Sequence, residues 1–327
     1  MQTVLVTGAT GCVGSALALM LHARGDRLRI LRRETSDTRM LEGIAAEQFV
    51  GDICDNALLE RATDGCDVVF HTAALVSFSR SVQDEQLRVN VQGTRCVAEA
   101  CLARGVRTLI HTSSVTTIGR AKPGALADED TPLDRDLAHG YKLSKVLAED
   151  EILRAVREGL RAVILNPSVI VGERDARFHG GQLIRTVRRG WLPFAIEGGM
   201  NVVYSGDVAR GMILAAERGR TGERYILAGK NQTHRQIFSR TAELIGARQP
   251  IGTLPSSWVR ALGAVMEGIS DLSGARLPLG RDLAGLVGEN IWFSTAKAER
   301  ELGFAPTSFD QTILAAYNWY RRNGYLK

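Results

Sequence analysis

The first fifteen residues constrain the fold more than any other stretch. Thr3 to Val6 is a short run of β-branched and aliphatic residues, the pattern of a buried parallel strand. It breaks at Gly8, and an apolar helical period begins at Val13 and continues through Leu17, Met20 and Leu21. Between the two stand Gly8, Thr10, Gly11, Cys12, Val13 and Gly14. Strand, glycine-rich turn and helix start together supply the context that gives such a glycine pattern meaning. Gly8 permits the turn, Gly11 lets the backbone approach a pyrophosphate, and Gly14 permits close helix–strand packing. The free amides and positive end of the helix then hold the phosphates. This is the sequence of a dinucleotide site at the head of an α/β fold.

At 327 residues the chain is long enough for one large domain and a smaller lobe. Hydrophobic residues at 45% and charged residues at 24% exclude a disordered or fibrous chain. The net charge is +5, and its cations are nearly all arginine. They lie scattered among acids, in pairs such as Arg32-Arg33 and Arg188-Arg189, which is a solvated surface and not a nucleic-acid site. Five cysteines (Cys12, Cys54, Cys66, Cys96 and Cys101) show no metal-ligand spacing, so buried free thiols and no metal are expected. A strand beginning almost at Met1 leaves no room for a signal peptide, and no run of about 18 apolar residues would cross a membrane. A cytoplasmic protein without stable membrane insertion is the expectation.

Strand and helix patterns alternate after the first unit. Strands are expected at residues 28–31, 47–50, 67–71, 108–111 and 162–165, with long helices at about 84–103 and 139–158. Repeated units of this length make a Rossmann-type doubly wound parallel sheet, with right-handed crossovers and both faces covered. The expected division is a cofactor domain over 1–172, to which later segments return, and a mostly helical substrate lobe over 173–327. The second strand ends at the adenosine ribose, where it runs into Arg32 and Arg33, then Glu34, with Arg39 further on. A guanidinium there suits a 2′-phosphate, which favours NADP(H) over NAD(H). Gly51-Asp52-Ile53 closes the third strand, with a carboxylate placed to accept from the adenine amino group.

The chemistry lies in Tyr141-Lys142-Leu143-Ser144-Lys145, which puts Tyr141 and Lys145 one turn apart on a helix face. A phenol titrates near pH 10, too high for an efficient base at neutral pH, and a neighbouring ammonium favours the phenolate. Thr112-Ser113-Ser114 ends a strand at the carboxyl edge of the sheet, where ligands bind and a hydroxyl can orient a substrate oxygen.

Taken together, these motifs resemble the extended short-chain dehydrogenase/reductases, the epimerase/dehydratase-like superfamily. The matching stretches are residues 7–14, Gly51-Asp52, His71-Thr72-Ala73-Ala74, Asn90-Val91-Gln92-Gly93-Thr94, Thr112-Ser113-Ser114, and Tyr141 with Lys145. The resemblance implies Tyr141 as acid/base, Lys145 as its pKa-lowering and ribose-binding partner, and Ser114 as donor to the substrate oxygen. It places Asp52 and Ile53 by the adenine, Thr72, Ala73, Ala74 and Thr112 along the cofactor wall, and Asn90 as a support near the site. Within the superfamily, Leu31-Arg32-Arg33, Pro167-Ser168-Val169-Ile170-Val171-Gly172 and the tail from Ala298 look most like the dihydroflavonol-4-reductase and 3β-hydroxysteroid-dehydrogenase branch. In that branch Pro167, Ser168 and Val169 line the nicotinamide, and Arg32 and Arg39 meet the 2′-phosphate. A homodimer through the two long helices is also implied.

Thr117-Ile118-Gly119 and Val169-Ile170-Val171-Gly172-Glu173 replace the Val-Tyr-Gly and Asn-Val-Tyr-Gly-Pro of sugar-nucleotide epimerases. Losing those polar and aromatic groups points to a hydrophobic carbonyl or alcohol as the substrate. An NAD-dependent sugar-nucleotide epimerase/dehydratase and a non-catalytic cofactor-binding scaffold are the alternatives. In the lobe, 179–189 reads as a basic amphipathic helix and Asp207 as a helix cap. The apolar stripe from Trp258 to Leu279, together with Trp292 and Phe293, reads as core.

Overall fold

The computed structural model describes residues 1–122, 124–190, 193–258 and 288–326. Strands β1 (Thr3–Thr7), β2 (Arg27–Arg32), β3 (Glu47–Val50), β4 (Val68–His71), β5 (Thr108–Thr112) and β6 (Ala162–Pro167) form one parallel sheet. The order is β3-β2-β1-β4-β5-β6, extended beyond β6 by β10 (Arg224–Leu227). Successive residues of β1 feed opposite cores, as in a sheet covered on both faces. Val4 and Val6 pack with α1 (Cys12–Ala23) and α7 (Ser205–Arg218), whereas Leu5 packs with α2 (Asn56–Thr63), α4 (Gly93–Ala103) and α5 (Gly140–Arg157). This is the doubly wound α/β fold that the alternating patterns predict. Strand order reverses between β1 and β4, so the crevice for a ligand opens at their carboxyl ends.

The long helix expected at 84–103 is built in three parts: α3 (Gln83–Leu87), a π-helical turn over Arg88–Gln92, and α4. The wide turn interrupts the helix beside the site, and Asn90 sits within it.

A second layer grows from the far end of β6. Strand β7 (Val169–Val171) pairs in parallel with β9 (Gly199–Tyr204), which pairs antiparallel with β11 (Asn231–Thr233). Around these lie α6 (Gln182–Arg188), α8 (His234–Ile245) and α10 (Phe309–Arg322). Strand β8 (Phe194–Ile196) pairs in parallel with β12 (Gly252–Leu254). Helix α9 (Ala296–Leu302) returns to the main sheet through Ala298 and Leu302.

Two expectations in this lobe are corrected. Helix α6 begins at Gln182, not at 179, because Asp175 bonds the amides of His179, Gly180 and Gly181 and holds them in a turn. Asp207 does not cap α7. It lies fully buried inside the first turn and accepts from Thr307 through its amide at 2.5 Å and its hydroxyl at 2.8 Å, tying the C-terminal segment down. Phe293 is buried and Trp292 half-buried. Trp258 is exposed, and the rest of the stripe to Leu279 lies outside the described residues. No described helix is long and apolar enough to cross a membrane.

The glycine turn is set by backbone meeting backbone. A Cβ on Gly14 would stand 2.3 Å from the Gly8 carbonyl oxygen, and Gly8, with φ +74°, would put one 2.6 Å from the Ala73 amide nitrogen. Gly11 is exposed, and its Cβ would meet only the Gly8 oxygen, at 3.3 Å. Gly14→Ala therefore destabilises the fold by about 2 kcal/mol through forced separation of α1 from β1. Gly11→Ala costs under about 1 kcal/mol. Paired urea unfolding curves measure both.

Candidate active site

A cavity of about 530 Å³ opens at the carboxyl ends of β1, β4, β5 and β6. Its floor is the glycine turn, with Gly8, Thr10, Gly11, Cys12, Val13 and Gly14 all in its lining. No side chain caps α1, whose first turn thus offers its backbone amides to a ligand. The exposed backbone at Gly11 leaves the close approach that a pyrophosphate needs. The turn fits a dinucleotide.

The opposite wall carries the polar residues. Thr112 and Ser114 come from the end of β5, Tyr141 and Lys145 from the first turns of α5, and Pro167, Ser168 and Val169 from the β6–β7 junction. The Ser114 hydroxyl accepts from the Thr116 amide at 3.2 Å. The Lys145 ammonium donates to the Thr112 carbonyl at 2.7 Å. Burial pushes the Tyr141 phenol up to about 12, with a hydrogen bond to Ser114 acting the other way. Burial also pushes the Lys145 ammonium down to about 8, opposed by the charge of Glu149. The lowering of the phenol by Lys145 that the one-turn spacing predicts is thus not what this arrangement shows. Burial is the largest influence on the phenol, and Ser114 is what opposes it.

Beneath the site runs a buried polar chain. His71 Nδ1 lies 2.8 Å from Thr7 Oγ1, and Nε2 lies 2.9 Å from Thr94 Oγ1. Thr94 gives its proton to the Asn90 carbonyl at 2.6 Å, so it must accept from His71. That assigns the proton of neutral His71 to Nε2 and leaves Nδ1 to accept from Thr7. Burial, then Lys145, drive His71 down to about 3, and the imidazole stays neutral.

Of the expected cofactor contacts, Thr72, Ala74 and Arg39 line the cavity and five others do not. Arg32 is turned to the edge of the sheet, where Nε donates to Gln48 at 2.7 Å. Asp52 is engaged by both Nη atoms of Arg88, at 2.9 and 3.0 Å, and by the Cys54 amide at 2.8 Å. Ile53 is turned into the core against Gly93. Ala73 packs its backbone against Gly8. Asn90 acts as a strut, accepting from the Leu75 amide at 2.7 Å and donating to Ser144 Oγ at 2.9 Å.

The sequence patterns missed the segment 173–180, which crosses the cavity mouth with Arg174, Asp175, Arg177 and His179 in its lining. Arg174 and Phe178 hold left-handed φ values of 63° and 56°, costly for residues with a Cβ. Buried Asp175 anchors the turn by accepting three amides and the Tyr320 hydroxyl, the last at 2.9 Å. Arg174 donates to the Met40 carbonyl, closing the segment onto the turn after β2. Asp37 was also missed; it lines the cavity and takes a bidentate pair from Arg39. Val76 and Phe78 complete an apolar rim, with the Phe78 ring 6.0 Å from that of Tyr141. No cluster of three or more metal-ligating side chains occurs among the described residues.

With this geometry in place, comparison with known proteins identifies the family. The signature of the 3-beta hydroxysteroid dehydrogenase/isomerase family matches residues 5–230. A putative dihydroflavonol 4-reductase of Synechocystis is 32% identical, covering 98% of this chain and 95% of that protein. A 4-hydroxy-2-methyl-3-oxo-4-farnesyl-3,4-dihydroquinoline-1-oxide ketoreductase of Stigmatella aurantiaca is 32% identical over 92% of this chain and 91% of its own. The crystal structure of gox2253 superposes with a TM-score of 0.90 at 38% identity, with both chains fully covered. The chain belongs to the 3-beta hydroxysteroid dehydrogenase/isomerase family of extended short-chain dehydrogenase/reductases, and it is an NAD(P)-dependent oxidoreductase.

Proposed function

We propose that this enzyme interconverts a ketone and a secondary alcohol on a hydrophobic small molecule, with NADP(H) as the redox partner. The observation that carries this reading is the meeting of Ser114, Tyr141 and Lys145 in one cavity with a phosphate-binding turn at one end and an apolar rim at the other. Phe78 is 77% exposed at that rim, beside Val76 and Val169, a surface that water alone does not favour. The ketoreductase activity named for the Stigmatella relative, on a farnesylated quinoline, agrees with it.

The nicotinamide, when bound, supplies or accepts the hydride. In reduction the Tyr141 hydroxyl donates its proton to the carbonyl oxygen as charge develops there. Ser114 donates a hydrogen bond to the same oxygen, and Lys145 stabilises the phenolate left behind. Burial holds Tyr141 protonated at neutral pH, the form that donates in the reductive direction.

Arg39 is the residue proposed to meet a 2′-phosphate, since Arg32 does not reach the cavity. Its bidentate partner Asp37 favours a second reading, in which that carboxylate accepts from the free 2′-hydroxyl of NAD(H).

Tyr141→Phe lowers kcat about 10³-fold while leaving dinucleotide affinity within about threefold; steady-state kinetics on a panel of lipophilic ketones, with fluorescence titration of NADPH, measures both. Full turnover by this variant overturns the catalytic reading. Arg39→Ala weakens NADPH binding about tenfold and NADH binding little, whereas Asp37→Asn strengthens NADPH binding. Wild-type preference for NADH, lost in Asp37→Asn, selects the second cofactor reading. A tightly held dinucleotide that never exchanges, with no net turnover, selects an epimerase.

A further inference from the structure

Glu149 lies one turn beyond Lys145 on α5, continuing the stripe Tyr141, Lys145, Glu149. Its side chain is almost fully buried, where a carboxylate is tolerated only when well bonded. Oε1 is 2.7 Å from Thr117 Oγ1 and 2.8 Å from Asn166 Nδ2, and Oε2 faces the Arg224 guanidinium at 2.9 Å. Asn166 Nδ2 also donates to the Ser114 carbonyl at 3.1 Å. One hydroxyl proton and two amide protons serve these oxygens. Thr117 Oγ1 also donates to the Ser114 carbonyl at 2.9 Å and Asn166 Nδ2 to Thr117 Oγ1 at 2.9 Å, so the three protons are shared among more acceptors than they number.

The network joins two elements that the chemistry needs in register. Ser114 stands on the loop after β5, and Tyr141 and Lys145 stand on α5. We propose that Glu149 is a positioning residue of the reaction: its buried carboxylate locks the Ser114 loop to the Tyr141–Lys145 helix and places a negative charge one turn behind Lys145. The proposal rests on the catalytic reading given above.

The groups facing Lys145 single out Glu149 as the source of that charge. Tyr141 and Glu149 share its helix, His71 faces it from β4, and His111 faces it from β5. Burial keeps both histidines neutral, and the Tyr141 proton stays on at neutral pH. Arg224, one-third exposed on β10, draws on the same carboxylate from its other oxygen.

The chain has six lysines, so lysine-selective 13C NMR can follow the Lys145 ammonium directly, with Lys145→Met assigning its signal. Glu149→Gln keeps an oxygen for Thr117 and Asn166 but removes the charge. It should lower the Lys145 titration midpoint by about one pH unit, and the alkaline limb of kcat should fall with it. Arg224→Met, which removes the competing cation at a less buried position, should move both to higher pH. Thr117→Val, which keeps the charge but loses a bond to the loop, should leave the midpoint in place and lower kcat/KM about tenfold. A purely structural network would lower thermal stability in all three without moving the Lys145 midpoint in opposite directions. An unmoved midpoint in Glu149→Gln and Arg224→Met overturns the proposal, even with Tyr141→Phe inactive. Full turnover by Tyr141→Phe instead overturns the catalytic reading beneath it.

Discussion

Everything in this site depends on how closely α1 approaches β1. The Gly14 Cα sits against the Gly8 carbonyl, and Gly8 sits against the backbone of Ala73 at the end of β4. Main chain here touches main chain, with no side chain between. That contact fixes three elements at once: the helix whose amides face the cavity, the strand before it, and the neighbouring strand across the reversal in sheet order. A larger residue at either glycine would open the crevice and tilt the helix end away from it. The phosphate-binding geometry follows from packing density at two backbone positions.

The chain from Ala73 through Thr7, His71 and Thr94 to Asn90 extends that rigidity sideways. Ala73 donates to Thr7 Oγ1 at 3.3 Å, and each following hydroxyl or ring nitrogen passes one bond on. The chain runs in one direction because the last acceptor is a carbonyl and the first donor is an amide. A charged imidazole would have two donors and break it at Thr7, so burial and bonding both hold His71 neutral. Asn90 then hands the constraint to Ser144 in α5, the helix that carries Tyr141 and Lys145. The glycine turn and the helix carrying Tyr141 and Lys145 are thereby two ends of one bonded path.

How much of this was legible follows from the range over which each signal acts. The first six strands of the sheet and the helix carrying Tyr141 announce themselves through short apolar runs and one-turn spacing, which are local properties, whereas β10 was not foreseen. The glycine turn, Tyr141 and Lys145 fall where those patterns place them, and Ser114 falls where the family resemblance puts it. Arg32, Asp52, Ile53 and Ala73 illustrate the limit. Each lies at the right strand end, yet its direction is set by a partner distant in sequence: Gln48 for Arg32, Arg88 for Asp52, Gly93 for Ile53 and Gly8 for Ala73. The segment 173–180 was illegible for a stronger reason. Its path depends on left-handed residues that are not glycine, and on an aspartate bonded to a tyrosine 145 positions away. Asp207 misleads in the same way, since its position in the first turn of α7 is a capping position by pattern but a tertiary anchor by contact.

The electrostatics of the site reverse the simplest expectation for a tyrosine beside a lysine. Removing both groups from water favours neutral phenol and neutral amine together, and the two effects act against an ion pair between them. The protein answers with fixed oxygens. The Thr112 carbonyl accepts from the ammonium, Ser114 bonds the phenol, and the Glu149 carboxylate lies one turn behind the lysine. Two of these oxygens are held in place. Thr112 is fixed by the sheet, and Glu149 is fixed by Thr117, Asn166 and Arg224. A polar environment arranged in advance costs no reorganisation when charge develops on the reacting oxygen, which is where such a site gains its rate. The buried carboxylate is expensive on its own, but it converts a desolvated lysine from a liability into a poised cation next to the phenol.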